Sequence, residues 1–109
     1  MHREKEAECF NRLRVLNRKK AVIRARAKAA QHIQAAIDTL SKRLEREPSK
    51  EVKSYILRMI KMLESNIAML EMANKKAAEE IEAEEQRWYE ECAEVVHYAL
   101  QRYTPPSQR

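Results

Sequence analysis

From about residue 4 to residue 46 the chain places apolar side chains at Cys9, Leu13, Leu16, Ile23, Ala27, Ala30, Ile33, Ile37, Leu40 and Leu44. Apart from Lys20, which stands where an apolar residue is due, the steps are threes and fours, the period of one face of an α-helix. A second stripe runs through Val52, Ile56, Met59, Leu63, Ile67, Leu70, Ala73, Ala77 and Ile81, skips at Glu84, and resumes at Trp88, Cys92, Val95, Ala99 and Tyr103. Between the two lies "REPSKE", with Pro48, the only proline before Pro105. A proline removes a backbone donor and disfavours helical geometry at the residue before it, here Glu47. Ser49 then suits an N-cap and Glu51 a first helical turn. The pattern predicts a helix over ~4–46, a turn at ~47–49, a helix over ~50–103 and a frayed tail at 104–109, within a single helical domain.

The predicted fold is all-α: a long antiparallel two-helix hairpin, coiled-coil-like, self-associating into a four-helix bundle. Folding at Pro48 sets residues whose numbers add to about 97 opposite each other, because both helices rise equally per residue. Leu40 then meets Ile56, Leu16 meets Ile81 and Phe10 approaches Trp88. Residues beyond about 95 overhang the start of the first helix. A three-helix bundle is the alternative and needs a turn within "MANKKAA", where Asn74 is the only candidate.

Charge supports the hairpin. Residues 11–30 carry Arg12, Arg14, Arg18, Lys19, Lys20, Arg24, Arg26 and Lys28 with no acid, whereas residues 79–85 read "EEIEAEE". The register lays the acidic run against residues ~12–18, which selects alignment more than it adds stability.

One hairpin cannot hide all of the apolar surface. A stripe of Tyr55, Met59, Met62, Met69 and Met72 runs beside the core stripe of the second helix. Contiguous apolar surface marks an interface, and flexible thioethers suit adaptable contacts. Aromatic residues follow at Trp88, Tyr98 and Tyr103, a type enriched at binding hot spots. These eight residues are the expected contact surface, with a second copy or a different protein as partner. The competing reading is that the same residues serve as core.

Composition narrows the function classes. The 109 residues hold no glycine, 36% charged residues and a net charge of +5. An outward basic face of Arg14, Lys20, Arg24 and Lys28 makes nucleic acid or an anionic membrane surface the alternative partner. No aromatic residue lies among them to stack on bases. The closing "RWYEECAEVVHYALQRYTP" resembles the end of a BAR-type membrane-curving domain, but such protomers generally have three long helices, and the family is not assigned. No phosphate loop, nucleophile elbow or paired acid–base motif is present, so neither an enzyme, a cofactor nor a small-molecule substrate is expected. Glu94 and His97 form a single Glu-x-x-His, too little for a metal site. Two cysteines make no disulfide framework, and no secretory leader or bilayer-length apolar run occurs, so a reduced cytoplasmic protein with free buried cysteines is expected. The expected function is a protein–protein interaction module: an adaptor, regulator or inhibitor of a larger assembly.

Overall fold

The computed structural model describes residues 2–103, with side chains for residues 3–102. Helix α1 spans His2–Arg46 and helix α2 spans Lys50–Tyr103; no strand occurs among the described residues. The boundaries follow the chemistry of the break. The α1 end is closed by Glu47 N–H donating to the Leu44 carbonyl at 3.4 Å. Ser49 caps α2, its Oγ accepting from Val52 N–H at 3.4 Å and its carbonyl accepting from Lys53 N–H at 3.0 Å. The two helices run antiparallel from this connection, so the fold is the helical hairpin that the stripes imply. The expected tail at 104–109 lies outside the described residues. So does the side chain of Tyr103.

The third helix does not form. Helix α2 passes unbroken through Asn74, whose side chain turns inward and donates from Nδ2 to the Ile23 carbonyl at 3.0 Å. A polar side chain at a seam position specifies register. The apolar stripe continues on both sides of it, so nothing favours a turn there.

The described residues divide into two compact units: residues 22–77, and residues 2–21 with 78–103. In the first, Ile37, Ile56 and Ile60 form the buried cluster, with Ile33, Leu40, Leu44, Val52, Leu63 and Ile67 packed against it. Ile60 takes the buried place that the sequence stripe assigns to Met59, which is half-buried. Both positions satisfy three-and-four spacing from Ile56, so periodicity alone leaves the choice open.

The second unit is built differently. Leu16, Ile81, Trp88, Val96 and Ala99 are buried, and Cys9 and Cys92 are joined by a disulfide with Cα atoms 5.5 Å apart. The expectation of free, reduced cysteines is therefore corrected. The two residues sit about one turn apart in the expected register, a distance that side chains leaning along the seam can bridge. Trp88 Nε1–H donates to the Cys9 carbonyl at 2.9 Å, so Trp88 faces Cys9 and is core. Phe10, its expected neighbour, sits on the exposed side.

The register itself agrees with the sequence reading, since Trp88 facing Cys9 and Asn74 facing Ile23 both obey it. A second set of facing positions is interleaved with the first, as antiparallel helices require, and it pairs residues about six further along. Arg12 binds Glu91 at 2.6 Å, Lys19 binds Glu84 at 2.8 Å, and Lys20 pairs with Glu85. Glu84 and Glu85, at the end of the acidic run, thus pair with residues 19 and 20 rather than with 12–18. For the same reason the end of α2 does not overhang: Val96 and Ala99 are buried and Arg102 binds Glu6 at 2.7 Å.

Candidate protein-interaction surface

The candidate surface lies on α2 within residues 22–77. The core side of this helix follows two series with a seven-residue repeat: Ile56, Leu63, Leu70, Ala77 and Ile60, Ile67, Asn74. A third series with the same repeat, Tyr55, Met62 and Met69, falls on the flank that turns away from α1. Tyr55 is 59% exposed, Met62 58%, Met69 67% and Met72 73%. Helical residues three, four and seven apart share a side, so these four form one patch. Met59 lies between the patch and the core and is half-buried. Ser65 and Asn66 occupy the middle of the patch, and Glu51, Arg58 and Lys76 mark its ends, all exposed.

Four of the eight expected contact residues are therefore brought together in the open, and Met59 borders them. Trp88 is not among them, because burying its indole against Cys9 satisfies both ring and N–H. Tyr98 is 73% exposed but belongs to the other unit, where Tyr89 and Leu100 are also exposed. Tyr89 packs edge-on against Trp88, with ring centroids 5.6 Å apart.

The expected basic face is only partly free. Lys20 is engaged by Glu85, so it does not present an outward charge. Arg14 is exposed in one unit, and Arg24 and Lys28 are exposed in the other. Of the ion pairs, Arg12–Glu91 has the clearest electrostatic consequence. The hydrogen bond from Arg12 and its positive charge hold the Glu91 carboxyl below its ordinary value of 4.5; partial desolvation opposes this, and Lys5 and Arg87 add smaller attractions. Among the described residues no cluster of three metal-ligating side chains forms, and His97 Nε2 lies 3.1 Å from Gln101 Nε2.

No protein-family model, no curated protein and no solved structure matches the chain. Function is therefore read from the residues themselves.

Proposed function

We propose that the chain is a protein–protein interaction module that binds through the outward flank of α2 centred on Met62 and Met69. The observation that supports this reading is the exposure of Tyr55, Met62, Met69 and Met72 as one patch on a helix whose other side is already packed. A two-helix layer has no third layer to cover such a patch, and leaving it in water forgoes roughly 25 cal/mol for each Å² of apolar surface. Thioether side chains repack at low cost, which suits an adaptor, regulator or inhibitor docking on a larger assembly. Catalysis is not part of the reading.

A basic surface engaging nucleic acid or anionic lipid has less support. Arg12, Lys19 and Lys20 spend their charge on Glu91, Glu84 and Glu85. No helix among the described residues is long and apolar enough to cross a membrane, which bears on spanning and not on surface binding. The Cys9–Cys92 disulfide favours an oxidising compartment, where such bonds persist, over the cytoplasm expected from the cysteine count.

The test is a photo-crosslinking amino acid placed at Met69 in living cells, with the same group at exposed Gln31 as control. Protein adducts specific to position 69 are expected. Equal labelling at the two positions would remove the α2 flank as an interaction surface.

A further inference from the structure

The exposed flank of α2 reads nearly the same from either end. In "MIKMLESNIAMLEM", residues 59–72, the four methionines are placed symmetrically about the Ser65–Asn66 peptide bond. Met62 and Met69 are equidistant from that centre, as are Met59 and Met72. A two-fold dimer interface is isologous: if residue i touches residue j, then j touches i. Two antiparallel copies of one helix meet this condition where residues symmetric about a centre also share one side of the helix, as Met62 and Met69 do, seven residues apart.

We infer that the occupant of this flank is a second copy of the chain, laid antiparallel on the first with the two-fold axis at Ser65–Asn66. The inference rests on the interaction reading above and names its partner. In this arrangement Met62 lies on Met69 of the other copy, a contact that occurs twice, and Met59 and Met72 flank it on opposite sides. Ser65 and Asn66, small and polar, occupy the axis, where two backbones approach most closely.

Charge selects the antiparallel direction. A parallel pairing would set Glu51, Arg58 and Lys76 each against its own equivalent, three like-charge oppositions along one seam. The antiparallel pairing sets Arg58 opposite Ala73. It sets Lys76 opposite Tyr55, whose ring face attracts a cation, with Glu51 one turn further along. All of these residues lie within residues 22–77, and Glu51, Tyr55, Arg58 and Lys76 are exposed.

Three variants separate the possibilities: Met62→Glu, Met69→Lys, and the two combined. Each single change buries a charge against a methionine at two symmetric places. It should weaken dimerisation by at least about a hundredfold. In the double variant the carboxylate introduced at position 62 faces the ammonium introduced at position 69 of the other copy, twice, so association should recover. A parallel dimer would instead set carboxylate on carboxylate and ammonium on ammonium and would fail further. Sedimentation equilibrium over a dilution series reads the mass against the 12.9 kDa of one chain, and circular dichroism confirms that helicity is kept. A double variant no stronger than the singles overturns the inference. So does a wild-type dimer that the single changes leave intact. A wild-type chain that stays at the mass of one copy while position 69 still crosslinks another protein overturns the second copy and leaves the interaction reading standing. Absence of both removes both.

Discussion

Reducing the Cys9–Cys92 bond should lower stability by an amount that the fold itself sets. The cysteines are 83 residues apart in sequence, and the bond closes nearly the whole hairpin into one loop. In the unfolded chain that closure removes conformational entropy. The chain-entropy relation for a loop of this size gives ~4.5 kcal/mol at 25 °C, about three powers of ten in the folded-to-unfolded ratio. Little of this is offset in the folded state, because the Cα separation of 5.5 Å suits a disulfide without backbone movement and both cysteines are fully buried. The reduced thiols remain small apolar side chains in the same seam, so native helicity should persist without denaturant. The assay is urea unfolding by circular dichroism at fixed chain concentration, comparing the oxidised protein, the reduced protein and a Cys9→Ser/Cys92→Ser variant. With a slope of ~1–1.5 kcal/mol per M urea for a chain of this size, the midpoint should fall by about 3–4.5 M. A difference below ~1 kcal/mol would refute the reasoning. It would mean that the bond does not close this loop, or that the unfolded chain already holds its ends together.

Replacing Asn74 with Leu removes a polar side chain whose Oδ1 is buried without a hydrogen-bond partner. The variant should be as stable as wild type or up to ~1 kcal/mol more so in thermal unfolding, with a less uniquely fixed register read as broadened amide resonances. A loss above ~1 kcal/mol would show that the bond to Ile23 outweighs the unpaired oxygen. Trp88→Phe deletes the donor to the Cys9 carbonyl and leaves a partly empty site, and it should cost roughly 1–3 kcal/mol in urea unfolding; a neutral result would place the indole outside the core. Because the Glu91 carboxyl is held below 4.5, the Arg12–Glu91 contribution is present above that value and is lost as pH falls through the lower, folded-state value. Carboxyl NMR should show Arg12→Gln moving the Glu91 midpoint up toward 4.5, and an unmoved midpoint would assign the shift elsewhere.

Much of this fold is legible in the residues because breakers are so few. With no glycine and one proline before Pro105, the one strong helix break falls at Pro48, and Ser49 marks the restart. Spacing also identifies the flank of Tyr55, Met62 and Met69, because a series repeating every seven residues keeps its angular distance from the core series. What spacing cannot resolve is the choice between neighbours. Met59 and Ile60 both fit the stripe, and β-branched Ile60 takes the buried place. Trp88 fits a hot spot and a core position equally well, and its orientation depends on the Cys9 carbonyl of another helix. The cysteine pairing is hidden for a similar reason. It needs side chains that lean along the seam by about a turn, which facing positions alone do not reveal.

The two units hold their helices together by different means, and the difference explains where the cysteines lie. In residues 22–77 the facing layers include Ile33, Leu40, Leu63 and Leu70, so burial supplies the cohesion. In the other unit the equivalent layer carries Arg12, Lys19, Glu84 and Glu91, and the pairs it forms are 30–51% exposed at the side chain. Pairs this open contribute little, with a typical range of about 0–1 kcal/mol. They set the alignment of α1 against α2 without holding it. The remaining buried positions, Leu16, Ile81, Trp88, Val96 and Ala99, are few, and the covalent bond at Cys9–Cys92 lies among them and ties the two helices together there. Residues 22–77 need no such bond. Their apolar content exceeds what one helix–helix seam can cover, and the excess is concentrated on the α2 flank that leaves Met62 and Met69 in solvent.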